Sequence, residues 1–82
     1  MIRFTSRGWE DYTSWADDRK TLRRINRLLE EAVRDPGLGV GKPERLSGDL
    51  LGCWSRRIDQ EHRVVYTFAD GELVVVSARY LY

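Results

Sequence analysis

Between Gly41 and Tyr66 the chain reads GKPERLSGDLLGCWSRRIDQEHRVVY, and this stretch holds most of its candidate chemistry. One carboxylate, Glu44, follows a Lys-Pro turn, and Arg56, Arg57, His62 and Arg63 then fall in two adjacent strand-like runs. A carboxylate facing an arginine cluster across a small sheet is what metal-free RNA cleavage needs. The carboxylate can take a proton from a 2′-hydroxyl, and guanidinium can hold the phosphate whose charge grows as that hydroxyl attacks. Arginine suits the second role better than lysine, because its planar fork pairs two phosphate oxygens at once. The plainer reading is a solvated charged face, the usual fate of charges on short strands.

The elements that must position these residues can be read from period and punctuation. Ile2–Thr5 is expected as a short first strand, ended by Gly8. Trp9, Tyr12 and Trp15 recur at helical spacing and mark a first helix with its aromatic trio in the core. Asp17 and Asp18 are candidate N-caps for a second helix. Along it Leu22, Ile25, Leu28, Leu29, Ala32 and Val33 form one apolar stripe. Arg23, Arg24, Arg27, Glu30, Glu31 and Arg34 fall largely off that stripe, with Glu30–Arg34 as a favourable i,i+4 pair. Pro36 and Gly37 end the helix.

The loop to Gly41 is glycine-rich but lacks the Gly-Lys-Ser/Thr of a phosphate-binding loop. Pro43 disfavours a helical Lys42, so an extended, rigid entry to Glu44 is expected. Cys53–Ile58, His62–Phe68 and Leu73–Arg79 read as strands, and Asp70-Gly71 is a strong hairpin signal between the last two. The order β-α-α-β-β-β predicts an α+β fold, a small antiparallel sheet of three to four strands with two helices packed on one face. The opposite face would then be open and partly basic.

Composition bounds the rest. Eighty-two residues make a single domain, 1–82, that leans on its three Trp and four Tyr for a core. No run approaches the ~18 apolar residues of a membrane helix, and MIRFTSRG lacks a secretory signal, so a cytoplasmic protein is expected. Cys53 is alone, which excludes an intramolecular disulfide, and it reads as a small strand residue. No Cys/His cluster has metal-ligand spacing, so no metal or other cofactor is expected. The net charge of +1 excludes a global polycation, and the basic signal is local to residues 42–63.

The blocks GKPE (41–44), L-x-G (50–52), WSRRI (54–58), EHRVVY (61–66) and ARYLY (78–82), with WEDYTSW (9–15), resemble the YoeB branch of the RelE/ParE toxin superfamily. They stand in family order and spacing over nearly the whole chain. One departure stands out: the family closes Arg-Tyr-His-Tyr, and here Leu81 holds the histidine position.

The resemblance implies a ribosome-dependent endonuclease cutting messenger RNA in the decoding site, without metal, to a 2′,3′-cyclic phosphate. It implies Glu44 as general base and Arg63 as stabiliser of the phosphorane. Leu81 stands where the general acid would be, and Tyr82 matches the terminal tyrosine, stacking on a base or packing on the sheet edge. Lys42, Arg45, Arg56 and Arg57 are the expected RNA contacts; Arg57 holds a flanking phosphate or forms a cross-strand salt bridge, and Arg45 replaces a common proline. His62 reads as structural. The implied partners are a YefM-like antitoxin, the bacterial ribosome with its message, a second copy in a homodimer, and operator DNA through the antitoxin only; no membrane is involved. Two other readings stand beside this one: a non-catalytic binding and co-repressor module, which Leu81 favours, and a gyrase-poisoning ParE relative, which GKPE and EHR disfavour.

Overall fold

A computed structural model of the chain describes residues 1–80; Leu81 and Tyr82 lie outside the described residues. The elements are β1 (Ile2–Phe4), α1 (Ser6–Thr13), α2 (Arg19–Arg34), β2 (Glu44–Arg45), β3 (Trp54–Arg57), β4 (Arg63–Ala69) and β5 (Glu72–Ser77), with a short 3-10 turn at Gly48–Leu50. The strands form one sheet in the order β1-β5-β4-β3-β2. The α+β class and the two helices are as expected, but the sheet has five strands and is mixed. β1 runs parallel to β5, while the other pairs are antiparallel. The additional strand, β2, is only Glu44 and Arg45, too short to show an alternating pattern.

The core lies between α2 and the middle of the sheet. Ile25, Leu28, Leu29 and Ala32 of the apolar stripe pack with Val64 and Tyr66 of β4 and Leu73 and Val75 of β5. Full burial of one such aliphatic side chain is worth roughly 1.5–3 kcal/mol. Asp18 caps α2, its Oδ1 accepting from the Thr21 amide at 3.0 Å. Val33, at the edge of the stripe, is 46% exposed. The ion pair on the outer face is Arg27–Glu31 at 3.4 Å, not Glu30–Arg34.

The first helix corrects two expectations. Gly8 does not end the strand but lies inside α1, buried, with Thr5 as N-cap accepting from the Gly8 amide at 2.9 Å. A Cβ at Gly8 would overlap the Val75 carbonyl, so only glycine lets α1 sit this close to β5. The aromatic trio is not uniformly core. Trp15 is buried beyond the end of the helix and Tyr12 is partly buried, whereas Trp9 is 53% exposed, stacked on Tyr12 and T-shaped to Phe4. An eight-residue helix cannot turn all three rings inward.

The Asp70-Gly71 hairpin forms as expected, with φ of 54° and 76°, the left-handed pair that a two-residue turn requires. A bulge follows in the β4–β5 pairing: Val65 opposes Ser77 while Tyr66 opposes Val75, leaving Val76 as the extra residue. No helix among the described residues is long and apolar enough to cross a membrane.

Candidate functional site

Residues paired across neighbouring strands share a face of the sheet. Val64 and Tyr66 face the helices, so Arg63, Val65 and Thr67 face away, and the register carries this face across the sheet. Glu44 pairs with Ser55, Ser55 with Val65, and Val65 with Ser77; Arg57 pairs with Arg63. Glu44, Arg57 and Arg63, separated by up to nineteen positions in the chain, thus converge on the open face. Ser55 and Arg57, two positions apart on β3, share this side.

The centre of the site is an ion pair. Arg63 Nη2 donates to Glu44 Oε1 at 2.8 Å, with the Arg63 side chain 10% exposed and that of Glu44 59%. A weaker contact of 3.4 Å runs from the same Nη2 to the Lys42 carbonyl. A guanidinium so far buried needs a counter-charge, and Glu44 supplies it. Arg57 is exposed and, among the described residues, makes no ion pair; the cross-strand salt bridge considered for it is not formed. Its backbone is held firmly instead. The Arg57 amide donates to Gly41 O at 2.6 Å, and Arg24 of α2 donates to the carbonyls of Arg57 (2.9 Å) and Ile58 (2.7 Å). Sequence reasoning missed Arg24, because a basic residue in a mixed-charge helix face looks solvated.

Arg56 was expected to contact RNA, and the structure corrects this. It points to the helix side and is fully buried. Nε donates to Tyr66 Oη at 3.0 Å, Nη1 to Val40 O at 3.1 Å, and Nη2 to the carbonyls of Asp35 and Leu38 at 2.6 Å each. Every acceptor but the tyrosine belongs to the 35–41 loop, so Arg56 gathers that loop and thereby aims Glu44. Two neighbours complete the tether. Glu31 Oε1 accepts from the Val40 amide at 2.9 Å, and this bond holds its carboxyl below the ordinary carboxylate range. The Tyr66 hydroxyl donates to Pro36 O at 2.8 Å; burial pushes its pKa up, and the Arg56 hydrogen bond partly opposes that. Alternation sets Arg56 with Trp54 and Ile58, opposite Arg57, but a charged residue on a strand reads as solvated until the loop carbonyls around it are seen.

Other expected contacts divide. Lys42 is exposed beside the site, but its φ of +50° is left-handed, not the extended entry expected from the following proline. Arg45 pairs with Trp54 and lies over its ring, 5.3 Å from the centroid, on the helix side and away from Glu44. His62 is structural, as read: it is buried, its Nδ1 accepts from the Tyr80 amide at 2.8 Å, and its ring meets Trp15 edge-on. Trp15 in turn donates from its indole to Ala78 O at 2.9 Å, and Arg63 N donates to Tyr80 O at 3.1 Å. These bonds tie residues 78–80 beside the ion pair. The roles expected of Leu81 and Tyr82 fall outside the described residues.

A two-helix α+β domain with this ion-paired face matches a family model described as the YoeB-like toxin of a bacterial type II toxin–antitoxin system, over residues 4–82. That defines the class: the toxin half of such a pair. Toxin YoeB of Streptomyces coelicolor is 62% identical over 82 residues, covering 99% of this chain and 98% of that protein. Among solved structures, the heterotetrameric YoeB–YefM toxin–antitoxin complex from Staphylococcus aureus aligns with a TM-score of 0.91 at 40% identity, covering 100% of this chain and 97% of that one. The YoeB dimer from Staphylococcus aureus aligns with a TM-score of 0.89 at 41% identity, covering 99% and 95%. The chain belongs to the YoeB-like toxin family.

Proposed function

We propose that this chain is a ribosome-dependent messenger-RNA endonuclease, acting by attack of a 2′-hydroxyl on the adjacent phosphate. The observation that carries the reading is the placement of Arg57 directly opposite Arg63, with the single carboxylate Glu44 on the latter. Like charges directly opposite on a sheet repel, and one carboxylate leaves the site net positive. An RNA phosphate would complete it.

In the reaction Glu44 swings off Arg63, whose guanidinium then hydrogen-bonds the scissile phosphate, and the freed carboxylate takes the 2′-hydroxyl proton. Glu44 is the more exposed partner and is the one able to swing. Arg57 holds the neighbouring phosphate, with Lys42 as an outer contact. The attack expels the 5′-oxygen and leaves a 2′,3′-cyclic phosphate. Leu81 has no proton to give that oxygen, so turnover is slow; a general acid is worth ~10²–10⁴ in rate, or roughly 3–5 kcal/mol of barrier. By the resemblance, Tyr82 is the terminal tyrosine that goes with this site.

The Staphylococcus aureus relatives, solved with YefM and as a dimer, support a YefM-like antitoxin and a second copy as partners here. An acidic antitoxin segment laid on the open face would mask Arg57 and Arg63. Leu81 favours one second reading, a binding module that keeps ribosome and antitoxin contacts and acts on operator DNA only through the antitoxin. Co-sedimentation with bacterial ribosomes across a salt series tests the RNA-facing surface. Phosphate contacts release counterions, so binding is expected to weaken steeply as salt rises. Binding that is flat in salt, or absent throughout, contradicts the reading.

A further inference from the structure

Two buried side-chain polar atoms on the face of the ion pair have no hydrogen-bond partner among the described residues: Arg63 Nε and Ser55 Oγ. Nε and Nη2 form one edge of the guanidinium fork, the edge that grips two oxygens of an anion at once. Glu44 occupies only the Nη2 tooth. The other tooth has no partner among the described residues, and a buried unsatisfied donor is costly.

Ser55 shares the face of Arg63. It is fully buried on the same face, directly opposite Glu44 on β2 and Val65 on β4. Arg63 is its diagonal neighbour, at a backbone separation of about 7–8 Å, which an arginine side chain easily spans. A hydroxyl in this position usually bonds to something. An orphan of this kind calls for a water, an ion, strain or a catalytic role to account for it.

We infer that Ser55 is a further residue of the site, its hydroxyl forming with Arg63 Nε a two-donor cradle for one non-bridging oxygen of the scissile phosphate. The inference rests on the endonuclease reading for its substrate and adds a specific residue to it. When Glu44 leaves Arg63, one phosphate oxygen takes Nη2 and a second takes Nε and the Ser55 hydroxyl. Ser55 only donates a hydrogen bond; no bond to it forms or breaks. Arg57, two residues along on the same face, then meets the next phosphate.

Ser55→Ala separates this role from a structural one. Removing an orphaned hydroxyl relieves a buried unsatisfied group, so the variant is expected to melt at the same temperature as the parent or higher. The first readout is the Arg63 Nε–H proton resonance, assigned by its loss in Arg63→Lys, during titration with inorganic phosphate. It should move downfield in the parent, and Ser55→Ala should need at least ten-fold more phosphate for the same shift. The second is single-turnover cleavage on ribosomes in a Leu81→His background, where Ser55→Ala should be about ten-fold slower. An unchanged phosphate titration, or a lowered melting temperature, overturns the cradle. If the titration depends on Ser55 but no variant cleaves RNA, the cradle stands and the endonuclease reading falls.

Discussion

Glu44 Oε1 and Arg63 Nη2 lie 2.8 Å apart, so in the free protein the proposed base and the proposed phosphate holder occupy one another. The pair is asymmetric: the guanidinium is buried and the carboxylate is mostly in water. Substrate phosphate must therefore compete with an internal carboxylate for Arg63. Glu44→Gln keeps a hydrogen-bonding group of the same shape but removes the base. It is expected to lower the melting temperature, because the buried guanidinium loses its counter-charge, and to lower the cleavage rate by ~10²–10⁴. An unaltered rate would show that Glu44 is not the base.

Arg56 makes a separate prediction about how the site is held. Its guanidinium bonds to Asp35 O, Leu38 O, Val40 O and Tyr66 Oη, and a lysine at the same depth cannot reach all of these. Losing two or more charge-assisted bonds in the core should cost about 3–5 kcal/mol. Urea denaturation of Arg56→Lys measures it, and a loss below about 1 kcal/mol would contradict the tether.

The contrast between Arg56 and Arg57 also shows how far the sequence could be read. Helix α2 and the β4–β5 hairpin were legible, because each rests on local period or turn chemistry. The convergence of Glu44, Arg57 and Arg63 from three strands was instead expected from residue type and resemblance, β2 being too short to show alternation. The parallel β1–β5 pairing was not legible, since it joins residues about seventy positions apart and leaves no short-range mark. Nor was the burial of Arg56, whose partners are carbonyls of the 35–41 loop that no strand pattern announces. Gly8 misled for a related reason: a glycine that permits close approach looks the same in sequence as one that ends a strand. Arg45 was separated from the site by β2, a strand of two residues.

Gly8→Ala tests that close approach. The added methyl would overlap the Val75 carbonyl, which is backbone and cannot rotate aside. Overpacking of this kind should destabilise by about 1–3 kcal/mol despite alanine's better helix propensity. A stabilised variant, judged by its urea midpoint, would mean that α1 stands off β5.

Stability should fall at both ends of the pH range. Asp18, through the Thr21 amide, and Glu31, through the Val40 amide, have carboxyls held below their ordinary values of 3.8 and 4.5. Groups depressed in the fold contribute stability that is present above the unfolded value and is lost as pH falls through the folded one. Tyr66 is raised above 10.0 by burial, so its contribution is full below that value and is lost as pH rises through the folded pKa. Melting curves from acid to alkaline pH check this. Asp18→Asn and Glu31→Gln should flatten the acid side, and Tyr66→Phe the alkaline side; unchanged slopes in all three would contradict the assignments.

The central claim is that Glu44 and Arg63 form a working cleavage site that lacks only the proton donor expected at position 81. Its most direct test is single-turnover cleavage of a defined message on purified ribosomes, with 3′ ends examined for the 2′,3′-cyclic phosphate. Leu81→His should raise the rate by ~10²-fold or more with little change in ribosome affinity, because the acid acts in the transition state and not in binding. Adding Glu44→Ala should remove most of that gain, while the parent shows a small residual rate above background. If Leu81→His cuts no faster than the parent, the chain is not an endonuclease short of its acid, and the binding-module reading takes its place.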